Sequence, residues 1–359
     1  MTDQNFPIIE YPSGQPPLEW GRMHGESYRL GIRELVEIRL GLMREKNPAL
    51  SPAHIESLAG EQWSVTQHVA PELTDELKGI AEGSGLSAEH IVVLNNYTDF
   101  RDIQIPDEGC SAVFVNQDSG PIAGQTWDMH GSAKNYVCCL KVPVAESDAS
   151  SVLFTLVGCV GMMGYSPFGT MVGVNNINTN GATAGAMWPA VVRKTLCFRT
   201  HEEMARHLAT AQVTSGHNYL IASEQQAEMW EVMPGLSERV DFLSTAEEGY
   251  LFHTNHCLGE QTILREYTMS QNSTSHTRYE LLEHKLVNVR TFEDVYELLN
   301  DHENYPRSIC SNYQANSQDP SITCGGAVGN LTTGRVEMWR GDPEYDANFK
   351  RHAFQLTPA

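Results

Sequence analysis

The chain is 359 residues long, enough for one large layered fold or two ordinary domains. Hydrophobic residues make up 41% and charged residues 19%, a globular balance that excludes a mostly disordered chain. Asp and Glu outnumber Lys and Arg by 45 to 24, and a formal charge of −21 would repel phosphate backbones and anionic lipid heads, so neither nucleic acid nor a membrane is an expected partner.

Met1 to Pro7 lack the basic start and apolar stretch of a secretory signal. No apolar run reaches the roughly 18 residues that a spanning helix needs. A soluble, cytoplasmic protein is the expectation. Eight cysteines with no C-x-x-C pair are too sparse for a disulfide scaffold and read mainly as buried thiols.

The first hundred residues read as helices. Gly21 to Met43 carries Leu30, Leu35, Ile38 and Leu42 at helical spacing. Ser51-Pro52 is a cap followed by proline at the first helical position, opening a helix toward Val69. Glu72 to Glu82 reads as a third helix, ending at Gly83-Ser84-Gly85, and Ser87 caps a fourth. From Cys110 the pattern changes to a strand over Ser111–Val115, a turn at 116–120, and a hairpin partner over Pro121–Trp127. Further strands are expected at Tyr136–Val142, Ser151–Leu156, Thr170–Val174, Tyr219–Ala222, Glu228–Val232 and Tyr250–His253. Helices interrupt at Thr200–Ala211, Ser275–Asn288 and Thr291–Asp301, and Gly326–Leu331 with Arg335–Trp339 forms a last hairpin. Strands in two groups with helices before and between them indicate an α+β fold of two sheets with helices outside.

Several chemistries find no support. There is no H-E-x-x-H, and His253 and His256, three apart at a strand end, would face opposite sides, so no metal site and no cofactor is expected. The glycines at 158, 161 and 164 match neither a dinucleotide fingerprint nor a phosphate loop, and no G-x-S-x-G elbow occurs.

Gly109-Cys110 stands where the helical region ends and the hairpin begins. Around it lie Met23-His24-Gly25, Gly79-Ile80-Ala81-Glu82-Gly83, Leu94 to Phe100, Gly124-Gln125-Thr126-Trp127-Asp128, His253-Thr254-Asn255-His256-Cys257, and Asn304 to Cys310. In this order and spacing the chain resembles the acyl-coenzyme A:6-aminopenicillanic-acid acyltransferase (isopenicillin-N acyltransferase) family of the N-terminal-nucleophile hydrolases, over about residues 18–345. The resemblance implies a four-layer αββα sandwich. It also implies a precursor that cuts itself between Gly109 and Cys110, giving a mainly helical segment 1–109 and a segment 110–359 that stay together as one folded unit. The new amino end of Cys110 would be the nucleophile.

The chemistry is sound in its own right. A thiol of pKa about 8.5 needs a base, and an α-amine of pKa about 7.7–8.0 on the same residue supplies one. Glycine before the cut leaves the carbonyl unhindered. Asp128, at the far end of the partner strand, would lie beside the amino end of Cys110, and Asn255 would donate its amide to the oxyanion. Trp127 and His256 read as supports. Relatives carry an arginine directly after the Ser-Ile-Cys triplet, where this chain has Ser311. Arg307 would share a face with that position if 308–310 were extended. Tyr165 and Phe168 are expected to line the substrate pocket, with Arg307 and Ser311 as further substrate contacts.

The expected function is a self-processing cysteine amidohydrolase that cleaves the C–N bond of a small non-protein N-acyl compound through a Cys110 thioester. The alternative is acyl transfer to an amine from acyl-coenzyme A. A further alternative is an uncleaved, non-catalytic ligand-binding protein.

Overall fold

The computed structural model describes residues 6–100, 109–145, 147–177, 179–267, 273–311 and 321–357. In chain order the elements are β1 (Ile8–Glu10), α1 (Pro17–Ser27), α2 (Arg29–Lys46), α3 (Pro52–Val69), α4 (Thr74–Ser84), α5 (Ala88–Asn96), β2 (Ala112–Gln117), β3 (Gly120–Met129), β4 (Val137–Pro143), β5 (Ser150–Leu156), β6 (Met163–Ser166), β7 (Thr170–Asn176), α6 (Trp188–Leu196), α7 (His201–Ala209), β8 (His217–Ser223), β9 (Gln226–Met233), β10 (Leu236–Ser244), β11 (Gly249–His253), α8 (Ser275–Leu286), α9 (Phe292–Leu299), β12 (Ile322–Asn330), β13 (Arg335–Arg340) and β14 (Lys350–Gln355).

Two sheets form. The larger runs β1-β4-β5-β6-β7-β8-β9-β10, and the smaller β11-β2-β3-β12-β13-β14. Only the β1–β4 pairing is parallel among the described strands. The sheets face each other through β2 and β3 on one side and β7 and β8 on the other. Helices α6 and α7 cover the outer face of the larger sheet, while α8 and α9 cover the smaller. This is the αββα layering that the resemblance implied, and α1–α5 extend the first helical layer through α5 against α6. Among the described residues, no helix is long and apolar enough to cross a membrane.

The helix starts follow local chemistry. Ser51 and Ser87 accept the backbone N–H of His54 and His90, and Thr200 and Thr291 complete reciprocal capping boxes. Gly85 ends α4 in the left-handed region at φ 71°. The expected helix over 21–43 is two helices, broken at Tyr28, and its buried stripe is Ile32, Leu35, Val36, Arg39 and Met43. Leu30 is exposed, because the helix turns its side chain away from the layer that α5 and the sheet provide. Strands β1, β6, β10 and β14 and helix α6 lacked a sequence signal strong enough to mark them. β6 is short and glycine-containing, and α6 is only nine residues long and starts at Met187 without a side-chain cap.

The glycine blocks have a packing role. Helices α1 and α4 cross backbone to backbone, and a Cβ at Gly21 or Gly79 would run into the facing carbonyl of Glu76 or Leu18. His24, on the same helix, accepts the Gly158 N–H at 2.8 Å through Nε2, and burial lowers its pKa to about 3, so the ring stays neutral for that role.

Candidate active site

Cys110 lies at the mouth of the β2–β3 hairpin, two residues before β2 begins. The hairpin extends past the strand, since Ser111 donates its N–H to Thr126 Oγ1 and accepts the Thr126 N–H, both at 3.0 Å. That register brings Asp128 back beside Gly109. The contact is tight. A Cβ on Gly109 would sit 2.6 Å from Asp128 Oδ2 and 3.1 Å from an Arg278 guanidinium nitrogen, so only glycine fits there without displacing them.

Asp128 is buried, and its Oδ1 has no hydrogen-bond partner among the described residues. Burial raises its pKa from 3.8 to about 7, while the Arg278 charge and the Thr323 hydroxyl hold it from going higher. A carboxyl poised near 7 is suited to taking or giving a proton at neutral pH.

Asn255 is brought to Cys110 from the loop after β11. Its Oδ1 accepts the Cys110 backbone N–H at 2.9 Å and Arg278 Nη2 at 2.6 Å. Its Nδ2, expected to face the oxyanion, instead donates to the Asn176 carbonyl at 2.8 Å. The Cys110 carbonyl accepts two donors, Asn175 Nδ2 at 2.9 Å and Arg278 Nη1 at 2.7 Å. Cys110 itself is buried, at 5% exposure.

Each of these groups is held from behind. Gln125 reaches across the sheet interface, accepting the Val174 N–H at 2.7 Å and donating to the Val174 carbonyl at 2.5 Å, which sets β7 so that Asn175 meets Cys110. Asn218 in turn donates to Asn175 Oδ1 at 2.9 Å. The Asn255 N–H goes to Ser275 Oγ at 2.8 Å, at the start of α8, and His256 Nδ1 meets the same hydroxyl at 2.8 Å. Burial, with the charges of His276, His253 and Arg278, lowers the His256 pKa to about 3. One residue before that loop, His253 is bracketed by Glu231 Oε1 and the Thr254 carbonyl, each at 2.9 Å. Trp127 packs on Phe154.

Arg278 and Asn175 were not anticipated. Arg278 lies on the buried face of α8 with Ser275, Leu282 and Leu286. Its helical spacing from Leu282 and Leu286, four and eight residues on, was the signal available in the sequence. It sets a buried positive charge beside Cys110 and Asp128. Ser311 is half-buried and donates its N–H to Thr323 Oγ1 at 3.0 Å, so it touches the partner of Asp128. Arg307 is exposed, and the 303–309 segment forms turns and bends, so positions 307 and 311 do not share a strand face.

Tyr165 and Phe168 are not brought to Cys110. β7 meets Cys110 at Asn175, whereas Tyr165 pairs with Met171 near the other end of that strand, and Phe168 sits in the turn before it. At about 3.3 Å per residue this is roughly 15 Å away along the strand. Tyr165 is in the core between the sheets, donating to the Ala123 carbonyl at 2.8 Å. With Phe168, Thr170 and Asn330 it borders a cavity of about 270 Å³ at that far end.

A sequence profile described as acyl-coenzyme A:6-aminopenicillanic acid acyl-transferase matches residues 115–343. A relative from Emericella nidulans, the acyl-coenzyme A:6-aminopenicillanic-acid-acyltransferase 40 kDa form, is 24% identical over 305 residues, which cover 83% of each chain. Among solved structures, a Caenorhabditis elegans ortholog of N-acylethanolamine-hydrolyzing acid amidase aligns with a TM-score of 0.42 and 12% identity, covering 66% of this chain and 95% of that one. A mutant of conjugated bile acid hydrolase from Clostridium perfringens aligns with a TM-score of 0.40 and 9% identity, covering 68% and 92%. The chain belongs to the acyl-coenzyme A:6-aminopenicillanic acid acyl-transferase family.

Proposed function

We propose that this chain is a self-processing cysteine amidohydrolase whose mature nucleophile is the thiol of an amino-terminal Cys110. In the uncut chain the thiol loses its proton to Asp128, and sulfur attacks the Gly109 carbonyl. The C–N bond breaks, the Cys110 nitrogen takes up a proton and leaves as an amine, and water hydrolyses the thioester. The product is a pair of segments, residues 1–109 and 110–359. In turnover the freed amine takes the Cys110 thiol proton, sulfur attacks the amide of a small N-acyl compound, the substrate amine departs, and water releases the acid. Attacker and target share one chain, which removes the entropic cost of their meeting.

The observation that carries this reading is the packing of Gly109 on a buried carboxylate of pKa about 7. Cys110 has no free α-amine before the cut, so the first proton transfer needs a different base, and the closeness of Asp128 Oδ2 to Gly109 supports Asp128 in that role. Arg278 and Asn175 fix the Cys110 carbonyl, and Asn255 fixes its nitrogen, so the residue that carries the thiol is held at the nitrogen of the bond to be cut and at the carbonyl of the next peptide. In turnover, release of the Asn255 amide from Asn176 would make it the oxyanion donor.

Denaturing electrophoresis and mass spectrometry of purified protein test the proposal. The expected result is two fragments, the larger beginning at Cys110, with Cys110→Ala staying full length and inactive. An active wild type that remains one uncut polypeptide would refute it.

The name of the Emericella nidulans relative favours a second reading, in which an amine rather than water accepts the acyl group and acyl-coenzyme A is the donor. Product analysis with and without an acyl-coenzyme A thioester separates the two.

A further inference from the structure

Two connections of the chain meet beyond the end of β13. The one after α9 carries His302 and Cys310, and Asp342 comes two residues after β13. The imidazole, thiol and carboxylate atoms that face inward lie within 4.8 Å of one another. His302 Nε2 is 2.5 Å and Cys310 Sγ is 3.5 Å from the same oxygen, Asp342 Oδ2. Cys310 and Asp342 are fully buried, while the His302 side chain keeps 18% exposure and opens the cluster to solvent.

The cluster is braced. Asp342 Oδ1 accepts the N–H groups of Glu344 and Tyr345 at 2.8 and 2.9 Å, which leaves Oδ2 directed at the thiol and the imidazole. The Tyr345 ring sits edge-on to His302 at 5.1 Å, and the Cys310 N–H is held by the Asp301 carbonyl at 2.9 Å. Metal-ligating side chains are held by outer contacts of this kind.

We propose that His302, Cys310 and Asp342 bind a zinc ion. A thiolate, an imidazole and a carboxylate together are a donor set that favours zinc over magnesium or calcium. Tetrahedral zinc with Zn–S of about 2.3 Å and Zn–O of about 2.0 Å separates sulfur and oxygen by about 3.5 Å, the spacing found between Cys310 and Asp342. The His302–Asp342 edge must open by roughly 0.8 Å to reach the corresponding N···O separation, and the partly exposed imidazole is the side chain placed to make that move. On binding, Cys310 gives up its proton to solvent. Water or the Glu344 carboxylate, whose Oε2 is 3.7 Å from His302 Nδ1, completes the fourth position.

Such an ion would anchor Cys310, the residue before Ser311. The Ser311 N–H holds Thr323 Oγ1, and Thr323 bonds Asp128, so the ion would stiffen one side of the Asp128 environment without touching the reacting atoms.

The test is a titration of full-length, chelator-treated protein with zinc by calorimetry and with cobalt by absorption. The expected result is one ion per chain and a thiolate-to-cobalt charge-transfer band, with the band absent in Cys310→Ala. In His302→Gln, altered at the accessible rim where folding is least at risk, zinc affinity should drop at least about tenfold. Folded wild type that takes up less than about a tenth of an equivalent would overturn the proposal, because the cluster would then be a plain hydrogen-bonded His–Asp pair with a thiol donor. A cobalt band that persists in Cys310→Ala, or a His302→Gln chain that binds zinc as tightly as wild type, would also overturn it.

Discussion

Replacing Asp128 by asparagine isolates the charge buried beside Gly109. In the fold, burial raises the Asp128 carboxyl from 3.8 to about 7, against the opposing pull of Arg278 and Thr323. The folded chain therefore holds this proton more tightly than the unfolded chain. That contribution to stability is fully present below about pH 4 and is lost as pH rises through about 7. A gap of about three pKa units corresponds to about 4 kcal/mol at most. The measurement compares Cys110→Ala with the double variant Cys110→Ala/Asp128→Asn, both blocked at the processing step, by denaturant unfolding between about pH 4 and pH 8. His24, His207 and His256, whose pKa values are all lowered by burial, titrate in both proteins and cancel in the difference. The stability of the single variant, which keeps the carboxyl, relative to the double variant, which lacks it, should fall by about 2–4 kcal/mol across this range. A difference that stays flat, or that rises with pH, would show that the carboxyl is not perturbed upward and would remove the base from the proposed processing step.

Two further substitutions probe the same centre. Arg278→Met removes the cation that lowers the Asp128 pKa, so the midpoint of the processing rate against pH should move above about 7, with a loss of about 3–5 kcal/mol in stability at alkaline pH. An unchanged pH midpoint would refute the coupling. Gly109→Val places a branched side chain against Asp128 Oδ2 and the Arg278 guanidinium, and should slow appearance of the two fragments by at least about tenfold in a time course of processing. Processing at the wild-type rate would show that the contact is not used.

The hairpin was legible because its information is local. Eighteen residues separate Cys110 from Asp128, one turn joins the two strands, and a strand pair must return its second half beside its first. The caps at Ser51 and Ser87 were equally readable, since each satisfies backbone donors within the next turn. The block carrying Asn255 was found through its resemblance to a family, and its place against Cys110 came from folding, because the two residues are 145 positions apart.

What lay beyond the sequence was the direction each buried face points. Periodicity marks Arg278 as lying on the inner stripe of α8 but does not say which of 359 residues that stripe meets, and the answer, Cys110, is 168 positions away. Tyr165 and Phe168 carry the aromatic character of a pocket lining, yet strand direction puts them at the opposite end of β7 from Asn175. The convergence of His302, Cys310 and Asp342 has no short-range spacing to announce it. Local hydrogen bonding and the alternation of side chains therefore determined the hairpin, the caps and the position of Cys110 at the hairpin mouth. The positive charge beside it, the partners of its carbonyl and the His–Cys–Asp cluster were decided by the docking of layers, which depends on contacts between segments too distant in the chain for any local pattern to encode.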